Sequence, residues 1–176
     1  MPLTQNFSAT QILGEPSEIV LTDTSTGSDV LVTSRRVYIQ TADGSYLVED
    51  GTTTDYEVWS IADTSIILDV LPKDYAVLIT VQWLNASDAV LYSKSGKSGF
   101  TMYNDTFDYG LTQMLAANPL LINDNAYQSN KFLLQTYISS GDEALSYAGD
   151  LYSAQQCYDK ATNLRLNSQY YYNANA

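Results

Sequence analysis

The residue types that most often perform catalysis or bind metals are scarce in this chain. None of its 176 residues is histidine, so Ser-His-Asp, Cys-His and histidine-ligated metal sites are excluded. The single cysteine, Cys157, lies between Gln156 and Tyr158 with no histidine to activate it, and we interpret it as a structural thiol. A lone cysteine cannot form an internal disulfide, which suits a reducing cytosol or a particle assembled there.

Carboxylates could still perform acid–base chemistry, because glycosidases need only two Asp or Glu side chains at the right separation. The candidates are Glu49, Asp50, Asp55 and Glu57. They flank a turn, where acidic residues commonly form a solvated edge, so we expect no catalytic role. The oxygen-rich runs SDVL, DGSY and EDGTTTD lack the D-x-D-x-D-G spacing of a calcium loop, which leaves only opportunistic calcium binding open. The sequence therefore predicts no enzyme and no catalytic, cofactor-binding or metal-binding residues.

Two other motifs also have simpler interpretations. Residues 95–99, SGKSG, share the fragment GKS with a phosphate loop, but that pattern needs a glycine five positions before Gly96, where Leu91 stands. We interpret this run as part of a hinge. Trp59 and Trp83 could stack on sugar rings, as in carbohydrate-binding sandwiches, but we expect both to fill a hydrophobic core.

The charge balance limits the partners of the chain. Twenty acidic residues stand against eight basic ones, for a formal net charge of −12. Such a charge repels phosphate backbones and anionic membranes, so tight binding to nucleic acid is disfavoured. No run approaches the roughly 20 apolar residues that a membrane helix needs. We therefore expect no membrane association.

The first half of the chain is predicted to be β-sheet. Short β-branched runs between turn clusters predict strands at 7–13, 18–23, 29–40, 45–48, 55–61, 65–70, 75–84 and 89–93. In the strongest of these, Val77, Ile79, Val81 and Trp83 share one face, which should point to the core. Turn signals at this spacing favour an antiparallel immunoglobulin-like β-sandwich over residues 1–95, without the cysteines of antibody domains.

The second half, residues 96–176, is predicted to be helical, which makes the fold class α+β. We expect a flexible hinge at 93–99, SKSGKSG, followed by about three helices. The apolar stripe of the first helix comprises Phe107, Leu111, Met114 and Leu115. The second helix is predicted to begin at a cap, Asn123 or Asp124, and its stripe comprises Ala126, Leu133, Leu134, Tyr137 and Ile138. The third is predicted to begin at a capping box, Ser140 and Glu143, and its stripe comprises Ala144, Tyr147, Leu151, Ala154, Tyr158 and Ala161. We expect the second and third helices to pack as an antiparallel hairpin, and a face reserved for a partner is the alternative. The tail NSQYYYNANA is predicted to be a frayed end with exposed tyrosines.

The layout as a whole resembles virion structural proteins of tailed bacteriophages. A cysteine-free sandwich precedes a helical extension rich in Tyr, Asn and Gln, in an acidic chain without histidine. Residues 65–85, SIILDVLPKDYAVLITVQWLN, are similar to immunoglobulin-like modules of phage particles. The resemblance is to neck, tail-adaptor or ring proteins. It implies a homo-oligomeric ring in the virion, assembled in the host bacterial cytoplasm, with portal, tail or ring subunits as partners and no enzymatic activity.

The distribution of charge and tyrosine is compatible with such a ring. An acidic lumen would let DNA pass without specific binding, because it repels phosphates. Residues 1–95 carry a net charge of −9 and residues 96–176 one of −3, and the second part holds ten of the fifteen tyrosines. We therefore predict an oligomer or partner interface in the helical part, at Tyr147, Leu151, Tyr158, Tyr170, Tyr171 and Tyr172.

Two other function classes remain open. A carbohydrate-binding or adhesin-type sandwich would expose Trp59 or Trp83 in a groove beside Asp and Asn side chains. A capsid-decorating protein would need only the sandwich, with the helices as an anchor.

Overall fold

The computed structural model describes residues 2–12, 18–47, 56–69, 74–100 and 125–175. The chain divides into two compact units. The first, a sheet unit, comprises residues 1–71 and 77–98, and the second, a helical unit, comprises residues 72–76 and 99–176. The described residues form two antiparallel sheets and a C-terminal region with two α-helices, so the predicted α+β class is confirmed.

Seven strands form the two sheets of the described chain. They are β1 (Phe7–Ile12), β2 (Glu18–Asp23), β3 (Ser34–Thr41), β4 (Glu57–Ser60), β5 (Ser65–Asp69), β6 (Tyr75–Leu84) and β7 (Val90–Phe100). One sheet has the order β1-β2-β5 and the other the order β4-β3-β6-β7. The bounds of β2 and β6 are those predicted from the sequence, because a run rich in β-branched and aromatic residues between turn residues indicates both ends of a strand.

Alternation along β6 sets the core of the sheet unit. Val77, Ile79, Val81 and Trp83 are all fully buried, as predicted, whereas Leu78, Thr80 and Gln82 are only half-buried. The opposing sheet contributes its own buried side chains, including Ile19 and Leu21 of β2. The inner faces of both sheets therefore supply the apolar core, as period-two patterning requires.

A buried ion pair links the two sheets. The Nε atom of Arg35 lies 2.5 Å from Oδ2 of Asp23, and both side chains are less than a tenth exposed. The indole Nε1 of Trp83 donates to the same Oδ2 at 2.8 Å. The guanidinium of Arg35 also donates to the backbone oxygens of Ser60 and Asp63 and lies over the ring of Trp59. Each charge is thus hydrogen-bonded as well as paired, which offsets much of the cost of its desolvation.

Two predicted strand segments have other structures. The Oδ1 atom of Asp29 accepts a hydrogen bond from the backbone nitrogen of Leu31, and the carbonyl oxygen of Asp29 accepts one from the backbone nitrogen of Val32. These bonds close a local turn, so β3 starts only at Ser34, because aspartate offers the backbone an alternative to strand pairing. Tyr46, predicted within a strand at 45–48, forms only an isolated bridge with Gln40.

The predicted hinge at residues 93–99 is wrong as to local structure, because these residues belong to β7. A tight turn joins β6 to β7, in which Oδ1 of Asn85 accepts hydrogen bonds from the backbone nitrogens of Ser87 and Ala89. Beyond the turn, β7 pairs with β6, and the hydroxyls of Thr80 and Ser95 lie 2.9 Å apart. Pairing with a neighbouring strand therefore overrides the turn preference of the Ser and Gly residues.

The helical unit contains α1 (Asn125–Glu143), a π-helical turn (Ala144–Ala148) and α2 (Leu151–Asn175). The predicted helix at 107–115 and the predicted cap at Asn123 or Asp124 lie outside the described residues. Leu134 of α1 and Ala161 of α2 are buried against each other, with Tyr137, Ile138 and Leu164 around them. This packing confirms the predicted helical hairpin. Residues 167–175, predicted as part of a frayed tail, continue α2. No helix in the described part of the chain is long and apolar enough to cross a membrane.

The break between the helices corrects the predicted capping box. Ser140 and Glu143 lie at the end of α1 and not at the start of a new helix. Gly149 adopts the left-handed conformation, with φ 58°, and its N–H donates to the carbonyl oxygen of Leu145. Asp150 then caps α2, since its Oδ1 and Oδ2 accept hydrogen bonds from the backbone nitrogen and hydroxyl of Ser153. The pair Gly149-Asp150 is thus a helix stop followed by a helix start.

Replacing Asp150 by alanine is expected to lower the stability of the helical unit by about 1 kcal/mol, because the first turn of α2 loses its side-chain acceptor. The matched control is Ser140→Ala, which should lose no cap because Ser140 lies inside α1. Urea titration followed by helical circular dichroism measures both variants. A larger loss for Ser140→Ala than for Asp150→Ala would contradict the assignment of the cap.

The chain at residues 74–76 is held to α2 by the side chains of Gln155 and Thr162. Oε1 of Gln155 accepts from the backbone nitrogen of Ala76, and its Nε2 donates to the carbonyl oxygen of Asp74. Thr162 donates through its hydroxyl to Oδ2 of Asp74 at 2.6 Å, and both side chains are buried. The amide of Gln155 therefore pairs with backbone groups as a neighbouring strand would.

Candidate interaction surface

The six residues predicted as an interface do not share one exposed face. Tyr147 lies on the π-helical turn and is 89% exposed, whereas Tyr158 is fully buried. Leu151 is half-buried and packs on the cluster around Tyr158. The side chains of Tyr170, Tyr171 and Tyr172 lie outside the described part of the chain. The apolar spacing of three and four residues predicted Tyr147 and Tyr158 on one helix face. The π-helical turn and Gly149 interrupt the helix between these two residues, so they do not share a face.

Tyr158 is at the centre of the helical unit's core. It is buried with Ala76 and Ala154, and its hydroxyl donates to Oδ1 of Asp142 at 2.6 Å. Burial, and then the hydrogen bond to Asp142, raises the pKa of the tyrosine well above its usual range. Tyr158 therefore stabilises the fold and does not present its ring to a partner. Tyr152, which the helical periodicity did not single out, is 67% exposed instead.

Of the residues considered for chemistry, three carboxylates lie outside the described residues and both tryptophans are buried. Glu49, Asp50 and Asp55 lie outside it, and Glu57 lies in β4. Among the described residues, no three carboxylates or thiols cluster as metal ligands. Trp83 is fully buried and Trp59 nearly so, as predicted for core tryptophans. Neither indole is exposed to stack on a sugar.

The outer face of the four-stranded sheet carries a cluster that sequence reasoning missed. We call it the Tyr–Arg face, and it consists of Arg36, Tyr38, Tyr46, Tyr56 and Gln82. Arg36 and Tyr38 alternate with the buried residues of β3, and Gln82 lies directly opposite Arg36 on β6. Tyr56 precedes β4, and Tyr46 lies beside β3 through its bridge to Gln40. The pleat of β3 and the edge of its sheet thus bring distant parts of the sequence together.

Contacts within the Tyr–Arg face hold its side chains in place. The guanidinium of Arg36 lies 5.4 Å from the ring centre of Tyr38 and 5.2 Å from that of Tyr56, which is cation–π distance. Its Nε and Nη2 both donate to Oε1 of Gln82, at 3.1 Å and 2.8 Å. Tyr38 also contacts Tyr46, with ring centres 6.2 Å apart. Side chains that are already ordered lose little conformational entropy on binding.

The composition of this face is typical of protein-binding surfaces. Tyrosine and arginine are enriched among residues that contribute most to protein interfaces, because they offer a large contact area with polar groups. The face also places a positive charge on the unit that carries most of the negative charge of the chain. Part of it could have been found in the sequence, since burial of Val37 and Ile39 directs Arg36 and Tyr38 outward. The contribution of Tyr46 and Tyr56 depends on the fold.

Comparison with known proteins identifies no family for this chain. No protein-family model matches it, and no curated protein matches it. One matching solved structure is described as concerning fibronectin binding and biofilm formation by the AAF fimbriae of enteroaggregative Escherichia coli. It is 14% identical, the match covers 56% of this chain and 90% of that chain, and the TM-score is 0.28. A likeness of this degree carries no conclusion about function.

Proposed function

We propose that this chain is a non-catalytic structural subunit of a tailed-phage virion, namely a head-to-tail connector of the neck or tail ring. In this role it forms a homo-oligomeric ring and contacts portal, tail or neighbouring ring subunits. The particle assembles in the bacterial cytoplasm. The single observation that carries the proposal is the Tyr–Arg face, whose ordered side chains have the composition of a protein–protein interface.

An immunoglobulin-like arrangement of the sheet unit supports this proposal. Taken in chain order as strands A to G, the sheets β1-β2-β5 and β4-β3-β6-β7 correspond to ABE and DCFG. This is the seven-strand immunoglobulin plan, except that the fourth strand pairs with the third and not with the fifth. The arrangement needs no disulfide here, because the Asp23–Arg35 pair and the indole of Trp83 connect the two sheets.

The charge of the chain also supports a ring through which DNA passes. A net charge of −12 repels phosphates, so DNA would slide past an acidic lumen without binding tightly. The Tyr–Arg face contributes one of the eight basic residues and none of the acidic ones. It is therefore better suited to contact an acidic subunit surface than to line the lumen.

A carbohydrate-binding or adhesin-type module is the second candidate. The observation that favours it is again the Tyr–Arg face, because tyrosine rings beside Arg and Gln donors also suit sugar rings and hydroxyls. The buried positions of Trp59 and Trp83 remove the two residues on which this alternative was first based. A module of this class would remain monomeric or trimeric and bind glycans.

Measurement of particle mass separates the two candidates. Light scattering of the purified chain, alone and with the products of its neighbouring genes, is expected to show a closed assembly. The double variant Arg36→Ala, Tyr46→Ala should weaken assembly at least about ten-fold, because it removes two residues of an interface-type cluster. Tyr152→Ala is the matched control, since it removes an exposed tyrosine from α2. Both variants should retain the circular dichroism of the wild type.

Two results with the same variants would contradict the proposal. A stable monomer that binds a glycan array, and loses this binding in the double variant, would establish the second candidate. Assembly that is equally strong in the wild type and the double variant would remove the Tyr–Arg face from the interface.

A further inference from the structure

Two neighbouring aliphatic side chains project into solvent from the connection between β2 and β3. Val30 is 92% exposed and Leu31 is 62% exposed, and we call these two residues the Val–Leu tip. The next residue, Val32, is buried in the sheet unit. Exposed apolar residues that lie together mark interaction sites more often than single ones do. The tip is therefore a candidate contact point for a partner.

Hydrogen bonds hold the Val–Leu tip in one conformation. Oδ1 of Asp29 accepts from the backbone nitrogen of Leu31 at 2.9 Å, and its Oδ2 accepts from the hydroxyl of Tyr92 on β7 at 2.7 Å. On the other side of the tip, the backbone nitrogen of Thr33 donates to the carbonyl oxygen of Leu84 on β6. A tip that is already ordered loses little conformational entropy when it binds.

A groove in the same sheet unit has a shape that accepts such a tip. It is lined by residues of β1, β6 and β7, and its volume is about 260 Å³. Phe7 and Ile79 form its apolar base, and small residues surround them, at Ala9, Gly96 and Ser98. An apolar cavity of about 150 Å³ is enough to hold a benzene ring in another protein. The groove therefore has room for two aliphatic side chains.

The charges beside the tip and beside the groove are opposite in sign. The exposed carboxylate of Asp29 lies at the base of the Val–Leu tip. Lys94 lines the groove, and none of the described residues that line it is acidic. Ser95 faces outward, where its hydroxyl meets that of Thr80, so Lys94 lies on the groove side of β7. Charge complementarity thus favours contact between the tip of one copy and the groove of another.

We propose that the Val–Leu tip of one copy of this chain inserts into the groove of a second copy. Its two side chains fill the space above Phe7 and Ile79, and the carboxylate of Asp29 faces Lys94 of the second copy. The tip does not enter the groove of its own chain, since both of its side chains are exposed. Because tip and groove are different surfaces, the contact is head-to-tail, and repeated contacts close into a ring or continue as a filament. The contact is separate from the Tyr–Arg face and does not depend on the proposed role in a virion.

Disulfide cross-linking between two full-length variants tests this contact. Both carry Cys157→Ser, which removes the natural cysteine, and one also carries Val30→Cys whereas the other carries Gly96→Cys. Mixed under mild oxidation, they should form a covalent dimer on a non-reducing gel, because the thiol at the tip meets the thiol in the groove. The matched control mixes Ile67→Cys with Gly96→Cys, since Ile67 is also exposed but lies on β5. This control pair should react at least about ten-fold more slowly.

A further substitution tests whether the apolar tip is what drives the contact. Adding Leu31→Ser to the Val30→Cys chain should slow the cross-linking at least about ten-fold, because the contact loses buried apolar area. Adding Ile67→Ser instead should leave the rate unaltered, although Ile67 has a similar exposure of 57%. The tryptophan fluorescence of each variant should match that of the wild type, which shows that the sheet unit is folded.

Three results would overturn the inference, whether or not the chain belongs to a virion. The first is cross-linking of the tip and groove thiols that is no faster than that of the control pair. The second is cross-linking of Val30→Cys chains with one another as readily as with Gly96→Cys chains. The third is an equal effect of Leu31→Ser and Ile67→Ser on the rate.

Discussion

Replacing Arg35 by methionine is expected to destabilise the sheet unit by about 3–5 kcal/mol, because Asp23 is then a buried carboxylate without its cation. Asp23 would keep its hydrogen bonds from Trp83 and Ser25, but Ser60 and Asp63 would lose the donor to their carbonyl oxygens. Both tryptophans of the chain belong to the sheet unit. Tryptophan fluorescence during urea unfolding therefore reports this unit alone.

The double variant Arg35→Met, Asp23→Asn is the control for this result. It should recover part of the lost stability, because no lone charge remains buried. A loss below about 1 kcal/mol in Arg35→Met would instead be typical of an exposed ion pair, and would contradict the buried arrangement.

The Asp23–Arg35 pair also predicts a dependence on pH. Burial would raise the pKa of Asp23, but hydrogen bonds from Ser25, Trp83 and Arg35 outweigh burial and hold that pKa below its ordinary value. A carboxylate with a lowered pKa contributes stability above its unfolded pKa, and this contribution is lost as pH falls below about 4. In Arg35→Met the loss should start at higher pH, because one of the bonds that oppose burial is gone.

Alanine at either of two glycines is expected to destabilise the helical unit by about 1–3 kcal/mol through overpacking against Tyr158. A Cβ at Gly99 would overlap the tyrosine hydroxyl, and a Cβ at Gly141 would overlap its ring carbons. At Gly141, the free-energy cost of this overlap is expected to exceed the gain of up to about 1 kcal/mol in helix propensity that alanine brings. Helical circular dichroism during urea unfolding measures both changes. Gly96→Ala lies in the sheet unit, where tryptophan fluorescence measures its effect, and as the control it should be nearly neutral, since its Cβ would meet only an ordinary contact.

A second substitution distinguishes the two sites. Tyr158→Phe removes the hydroxyl oxygen, which is the nearest atom to a Cβ at Gly99, but leaves the ring carbons that face Gly141. It should therefore relieve most of the strain of Gly99→Ala and little of that of Gly141→Ala. Equal relief at both glycines would mean that the ring does not pack as described. The same result would contradict the buried position of Tyr158, which is the reason that Tyr158 is not assigned to an interface.

The sheet unit was largely predictable because its signals are local. Alternation over a few residues determines which side of a strand is buried, and Val77 through Trp83 show it in full. The turn at Asn85 likewise depends on one side chain and the backbone beside it. Predictions failed where pairing partners decided the outcome. Residues 93–99 have the composition of a linker and become a strand because β6 supplies hydrogen-bonding groups along their length.

The helical unit was predictable in its packing but not in its register. The stripe through Ala154, Tyr158 and Ala161 was expected to pack in a helical hairpin, and these residues are buried, whereas the prediction of Tyr158 at a partner interface is not compatible with its burial. Extending the stripe back to Tyr147 failed, because it crosses the stop at Gly149 and the start at Asp150. A glycine followed by an aspartate was the local signal for that break. The predicted capping box at Ser140 and Glu143 did not take this signal into account.

By itself, the sequence determined the α+β class, the bounds of β2 and β6, the burial of both tryptophans and the exclusion of histidine-based chemistry. Each of these depends on residue type or on a short period along the chain. Only the tertiary structure decided that Asp23 pairs with Arg35, that Tyr158 is enclosed, and that the Tyr–Arg face exists. Those features join residues far apart in sequence. Their positions follow from the order and register of the strands and from helix packing, which single-residue preferences do not determine.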